Sequence, residues 1–515
     1  MKRLILLLIK SLLVLGAYGQ SIVFVTPDGA GDQSGRSWSN SLPGTLLPGR
    51  VSVALPGTQF WVAAGTYKPT TTIDRAASFS IATGVSVYGG FTGNESGLQQ
   101  RNYRINKTIF SGDIGIPDDL TDSSSLPASA ADNVYHVVTF RDVDASTLID
   151  GVTIRGGVAN LDNGTSSYLL GEGVKNNDLG KVGGGIINRS ITKCSTPTIS
   201  NCVIERNRGS FGSGLYSRGN GCGSASLAIV RNCLFTANET FGLGSGGAVY
   251  IDNLSNALLE KCTFIDNKAF WGGGVFVFNC NPQLVNCIFT GNQAGFNSGG
   301  SGGGVFIDAF NQQSNPVFYN CLFTKNQATS GGAVFTGSFF NGTSTPEFIN
   351  CTLTQNRAAS HLGGAIAIQD STYRDGYNQS NSLHSPHPVF RNCIIWNNVS
   401  YNKESISFGY NSFPAIRNSI VGGNFLAQDY AAVPVEYNGG NNLPVDPLFV
   451  NPATGSFGLR AKSPAINAGE TIVGNFPAND LAGEPRIQGG RIDLGAYEAA
   501  GCPPSLCIPF SVRRR

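Results

Sequence analysis

The sequence is short of charge. Asp, Glu, Lys and Arg make up 13% of its 515 residues, about half of the roughly 25% usual in globular domains. Basic and acidic residues nearly balance, 35 against 33. Removing Lys2, Arg3 and Lys10 of a leader leaves 32 against 33, a mature charge near −1. That balance argues against a general nucleic-acid or membrane-surface binder. Beyond the leader, no apolar run approaches the ~18 residues of a spanning helix. There is no HExxH, no phosphate loop and no nucleophile elbow. Glycine, at 67 residues, is far below one third and lacks a three-residue period, which excludes collagen. What is plentiful is Gly, Ser, Thr and Asn (46 residues), with 41% apolar residues. That apolar content can fill a large core, and the Gly and Asn speak against a helical bundle.

Met1-Lys2-Arg3, an apolar run from Leu4 to Gly16, and the small residues Ala17 and Gly19 predict a secretory signal cleaved after Gly19. The expected location is extracellular or in the cell envelope, at the outer-membrane surface. No Cys follows the cleavage site, so no lipoprotein signal is expected.

Self-comparison carries the strongest message. Seven cysteines head one phrase: Cys202, Cys233, Cys262, Cys287, Cys321, Cys351 and Cys393. Five residues later stands Asn: Asn207, Asn238, Asn267, Asn292, Asn326, Asn356 and Asn398. Two residues after each Cys the side chain is apolar, as it is three residues before. Directly before the Cys comes Asn in six units and Lys261 in the other. Many units run on into a Gly pair and an alternating apolar stretch, as in Gly246-Gly247-Ala248-Val249 and Gly331-Gly332-Ala333-Val334.

Same-face residues of a strand are two apart. The Cys and the apolar residue after it obey this; the apolar residue three earlier does not, so the chain bends at the intervening Asn. Asn tolerates a left-handed backbone. The second Asn and the Gly pair mark two further corners, giving three short strands per unit. A three-cornered repeat of this length is one coil of a parallel β-helix, with coils ~4.8 Å apart. The crossover preference makes it right-handed. The fold class is therefore all-β, a single right-handed parallel β-helix of pectin-lyase-like architecture. Its expected divisions are a signal peptide (1–19), an N-terminal cap with first coils (20–130), the repeats (131–425), a C-terminal region (426–498) and a short tail (499–515).

The alternation of Gly-Gly-Ala-Val with Phe-x-x-Asn, at Gly246–Val249, Phe264–Asn267, Phe289–Asn292, Phe323–Asn326 and Gly331–Val334, resembles the repeat of chlamydial polymorphic outer-membrane proteins. Asp446-Pro447-Leu448-Phe449, Ser463 to Gly469, Asp480, Gly483, Arg486 and Ile492-Asp493-Leu494-Gly495-Ala496-Tyr497-Glu498 are similar to the choice-of-anchor Q domain of bacterial surface and secreted β-helix proteins. Gly35 to Trp38, Gly65 to Tyr67 and Tyr88 to Phe91 resemble the opening of such proteins. The resemblance implies an exported surface protein. The residues after Glu498 are not expected to form the membrane barrel of the polymorphic proteins or a sorting module.

Chemistry is sparse. One Cys per coil forms a line, whereas zinc needs four converging ligands; buried thiols acting as small hydrophobes are expected. Cys502 and Cys507 are close enough to pair in an oxidising compartment, and Cys194 with Cys222 is a less favoured pairing. Asp252 and Asp308 occupy matching places with Phe278 between them, two coils or ~9–10 Å apart, the upper edge for an inverting carboxylate pair. A solvated strand end is the favoured reading of both, with catalysis the weaker one. Asp113, Asp118, Asp119 and Asp122 form an acidic loop, a weak Ca²⁺ candidate beside the plainer reading of a polar insertion. No other cofactor is expected. Arg206 and Lys325 share a repeat position but lie coils apart, and His361, His384 and His387 cluster in sequence near the long loop from Ser371 to His387, where a functional His pair is the weaker reading. Trp271, Trp396, Phe296, Phe310, Phe339 and Phe340 are read as packing residues before glycan platforms. The expected function is non-catalytic adhesion, or binding of a polysaccharide or surface protein, by a monomer. A polysaccharide lyase or glycoside hydrolase is the alternative.

Overall fold

The computed structural model describes residues 21–118, 128–161, 179–219, 228–295, 299–339, 341–360, 362–370, 386–401, 403–409, 412–422, 424–427, 440–472, 476–488 and 490–499. The leader, Asp119, Asp122, Cys222, Phe296, Phe340, His361, His384, Cys502 and Cys507 lie outside the described residues.

The chain winds as a right-handed parallel β-helix. Three parallel sheets run its length and a fourth joins them in the central coils; they are named here in their order around one coil. Among the described residues sheet 1 has thirteen strands, such as Thr198–Ser200; sheet 2 has eleven, such as Val203–Glu205; sheet 3 has seven, such as Arg208–Phe211; sheet 4 has eleven, such as Leu215–Arg218. Each strand pairs with its equivalent one coil on: Ile204 with Phe235, Phe235 with Phe264, Phe264 with Phe289.

The expected three strands per coil are therefore corrected to four in the central coils. The extra strand is only two residues long in several coils, as at Lys268–Ala269 and Gln293–Ala294. It lies between the second Asn and the Gly pair. Two residues are too few to show alternation, yet their backbone still pairs with the next coil.

The corners follow simple sterics. The residue before each Cys is left-handed, φ +53° at Asn201, +52° at Asn232, +53° at Lys261 and +54° at Asn286. The second corner differs from expectation. Its left-handed residue is the one preceding the second Asn: Arg206, Ala237, Asp266, Gly291, Lys325, Gln355 and Asn397. The second Asn itself is buried and forms a ladder. Asn292 Nδ2 donates to Asn326 Oδ1 (2.9 Å) and to the Phe264 carbonyl (2.9 Å), while Asn292 Oδ1 accepts from the Asn267 backbone and side-chain amides. The same pattern runs from Asn207 to Asn398. It satisfies buried donors that a turn would otherwise orphan. At the Gly pair the first residue has positive φ (+68° at Gly246), and a Cβ on Gly247 would sit 2.3 Å from the Gly273 carbonyl of the next coil. Positive φ and close approach thus each require one glycine.

Inside, equivalent rings stack. Phe264, Phe289 and Phe323 have centroids 4.6 Å apart. The seven repeat cysteines are buried free thiols. Each sulfur sits against a carbonyl one coil back, as Cys262 Sγ does at 3.4 Å from the Val230 oxygen. Burial holds the Cys233, Cys287, Cys321 and Cys393 thiols well above their ordinary pKa. They are inert packing groups rather than nucleophiles. Cys194, by contrast, is disulfide-bonded. Every other described Cys is free, so its partner lies outside the described residues.

At the first coils, the helix Leu47–Val53 turns Leu47 and Val51 into the core. No helix among the described residues is long and apolar enough to cross a membrane. At the other end the chain leaves the coil. Residues 440–499 form a lobe with a small antiparallel pair, Phe449–Asn451 with Ser456–Leu459. The lobe packs Phe449, Phe457, Ala465, Ile466 and Leu494 onto Leu322, Ile394 and Ile420, outward residues of sheet 2.

Candidate functional site

The outer face of sheet 2 is covered by the lobe over its later coils. Leu322, Thr352, Thr354 and Ile394 are buried there. The earlier coils are different: Val203, Leu234, Thr263 and Ile265 are half-buried. This open floor has a cavity of about 340 Å³ at one end, walled by Tyr103, Arg104 and Lys107 and edged by Asn201 and Asn232. Its wall is fixed by a polar chain. Arg101 pairs with Asp150, Asn201 Nδ2 donates to Asp150 (2.8 Å), and the Tyr103 hydroxyl donates to Asn201 Oδ1 (3.2 Å). Arg104 and Lys107 are exposed, and no acid among the described residues pairs with either side chain. The result is a cationic, amide-edged cleft over an aliphatic floor.

The column of Asn before each Cys does two jobs. Early in the helix Asn201 and Asn232 edge the cleft. Later, Asn320, Asn350 and Asn392 donate to the lobe carbonyls of Asn479, Asp493 and Glu470, each at 3.0 Å. The repeat alone gave no sign of this second use.

A second cavity, about 260 Å³, lies at the seam between helix and lobe. Thr354, Trp396 and Asn397 line it from the coil, and Asp446, Leu448, Phe449, Pro452 and Arg460 from the lobe. Trp396 is half-buried. Its ring rests on Gly422, where a Cβ would come within 2.2 Å of it.

Charged residues of the lobe build a buried network. Arg486, 1% exposed, lies 3.2 Å from Glu498 and donates to the Gly495 and Asp493 carbonyls. Asp493 accepts from the Asn467 and Ala499 backbone amides, and Asp480 from those of Glu484 and Glu498. Burial pushes the Glu498 carboxyl up to about 8, despite the opposing pull of Arg486. Burial also raises Asp493. Gly495 is required because a Cβ would meet Thr352 Oγ1 at 2.7 Å.

Asp252 and Asp308 are two coils apart with Phe278 between them. The expectation of a solvated strand end is corrected: they are 0% and 1% exposed. Tyr216 donates to Asp252 Oδ2 at 2.6 Å, and Arg218 Nε is 3.8 Å from the same oxygen. Burial, then the Asp252 charge, raises the Tyr216 phenol well above its usual pKa and keeps it a donor. The physical reason is a second apolar ladder on this face. Tyr250, Phe276, Phe306 and Phe335 stack at 4.5–4.9 Å and are almost fully buried. Alternation marks these side chains as outward, and nothing in the repeat says that the outward face is buried too.

In the acidic loop, Asn133 and Ser129 donate to Asp118, and Lys68 lies 3.6 Å from Asp113. Burial first, then nearby Asp113 and Asp132, raises the Asp118 pKa. Among the described residues no three His, Cys, Asp or Glu side chains are grouped to hold a metal ion. His136 Nδ1 contacts the Gly183 carbonyl and His387 stacks near Phe413, far apart in the chain.

Residues 138–373 match the family model of the right handed beta helix region. Over 83 residues, 16% of this chain, the sequence is 36% identical to metabotropic glutamate receptor-like protein R of Dictyostelium discoideum; the chain spans 5% of that protein's length. Among solved structures, pectate lyase Pel9A is similar at a TM-score of 0.47 and 14% identity, over 94% of this chain and 98% of that one.

Proposed function

We propose that this is an exported β-helix protein of the cell surface or surroundings that binds a polysaccharide or a partner surface without catalysis. The observation that supports this reading is the open floor of sheet 2 with its prebuilt cleft. Aliphatic strand residues offer a flat apolar platform, and Asn201, Asn232, Arg104 and Lys107 offer polar groups at its rim. Concave sites with a few oriented polar groups over apolar walls are the usual form of ligand sites. The free cations favour an acidic glycan and make binding fall with salt. The resemblance of the lobe to surface-protein modules supports display outside the cell. Asp252 and Asp308, both buried, give the hydrolase or lyase alternative no open acid pair.

The test uses the full chain with a panel of acidic and neutral polysaccharides, read by calorimetry and by release of unsaturated products and reducing ends. Saturable binding without product is expected, weakened severalfold in the Arg104→Ala, Lys107→Ala double variant. Turnover, or no binding to any glycan or cell surface, would overturn the reading. Fractionation of producing cells tests the export half.

A further inference from the structure

We infer that the seam cavity at Trp396 is a subsite for one neutral hexopyranose residue of a glycan. The inference rests on the binding role proposed above and adds the class of sugar and the groups that hold it. The cavity, about 260 Å³, is below the range of drug-sized pockets. That suits a single sugar ring rather than a peptide side or an extended chain.

Its lining matches the two-sided chemistry of a pyranose. A sugar ring has an apolar C–H face and a rim of hydroxyls that both donate and accept. Trp396 supplies a broad aromatic surface, and its indole N–H has no partner among the described residues. Aromatic groups with one polar handle suit surfaces that are half apolar and half wet. The polar groups around it are held at one end and open at the other. Asp446 uses one carboxylate oxygen to accept the Leu448 backbone amide at 2.8 Å, which fixes its orientation and leaves its second oxygen open. Arg460 donates through Nε and Nη2 to the Val450 carbonyl at 3.3 and 2.9 Å, leaving Nη1. Asn397 stands exposed at a left-handed corner, φ +54°, and its side-chain amide has no partner among the described residues. Groups already oriented lose less freedom on binding.

Charge separates this site from the cleft at Arg104. One carboxylate and one guanidinium line the seam, with no surplus of either sign. An acidic or amino sugar would leave one of them mismatched, so an uncharged ring fits best. The cavity is also composite. The coil supplies three lining residues and the lobe five, and Gln355 Nε2 fastens the two by donating to the Pro452 carbonyl at 3.0 Å. Occupancy therefore clamps the lobe to the coil, and binding and lobe docking are linked.

The experiment titrates the full chain with the methyl glycosides of glucose, galactose and mannose. It follows saturation-transfer NMR and tryptophan fluorescence, with calorimetry for affinity. Two variants keep local structure. Asp446→Asn retains an oxygen for the Leu448 amide, and Asn397→Gly retains the left-handed corner. Saturable binding of at least one glycoside is expected, weakened about tenfold in each variant with unchanged melting temperature. Trp396→Phe keeps packing on Gly422 and is expected to weaken binding and abolish most of the fluorescence change. No glycoside binding, or binding indifferent to all three variants, would overturn the inference. If acidic glycans still bind through Arg104 and Lys107, the wider reading survives that failure. If nothing binds anywhere, both fall.

Discussion

The coil stack and the C-terminal lobe bury polar groups in opposite ways. In the inner columns of the stack they are neutral and repeated: each Asn amide is satisfied by the coils before and after it, and each thiol rests on a carbonyl. In the lobe they are charged and unique, one Arg486 among Asp480, Asp493 and Glu498. A neutral ladder can be extended by adding coils, because each rung asks only for another like itself. A buried ion cluster cannot be extended. It holds only where every partner is present, and removing one leaves an uncompensated charge. The stack is thus built to be long and the lobe to be locked in one place.

This difference can be broken from either side. The largest expected effect is Arg486→Met, which strands three buried carboxyls and is expected to weaken lobe docking by about 3–5 kcal/mol. Hydrogen exchange would show residues 440–499 losing protection while sheet 1 keeps its own. Next is Asn292→Ala, which unpairs a buried amide on each side. A loss of about 2 kcal/mol is expected in thermal melts, local to the neighbouring coils.

The third effect is one of pH. Glu498 has its folded pKa raised to about 8 from an ordinary 4.5. Between those values the folded lobe holds a proton that the unfolded lobe releases. The lobe is therefore most stable at and below about pH 4.5, loses stability as pH rises through the window, and levels off above about 8. Protease sensitivity of the lobe at pH 5.5 and pH 8.5 checks this, and Glu498→Gln is expected to flatten the dependence. The smallest effect is Cys287→Ala. It removes one sulfur from a packed column and is expected to lower stability by about 1 kcal/mol. No gain or loss of thiol reactivity elsewhere should follow.

Much of the stack could be read from the letters. The Asn-Cys phrase marked the corner, and the Phe two residues after Cys marked an inward column, because both follow from strand parity and left-handed tolerance. The second Asn was misplaced by one residue, since a positive φ and a buried amide ladder leave similar traces in composition. Sheet 3 was too short to display a period. The outward Tyr and Phe of sheet 4 looked like exposed alternation, yet they are buried. Local parity reports which side a residue takes, not what covers that side. The lobe letters Asp480, Arg486, Asp493 and Glu498 were visible as a motif, but the motif held no hint of their convergence, which depends on contacts across up to 18 residues and on docking to Thr352, some 140 residues away. The seam cavity was illegible for the same reason, because Trp396 and Asp446 meet only once the lobe has folded back.

The most direct test of the register that places all of this is a pair of double-mutant cycles in the Asn ladder, measured by thermal or denaturant unfolding. Asn267→Ala with Asn292→Ala removes rungs that touch; Asn207→Ala with Asn326→Ala removes rungs that do not. Coupling above about 0.5 kcal/mol in the first pair and additivity in the second is the expected result. Additivity in the first pair, or equal coupling in both, would contradict the stacked register.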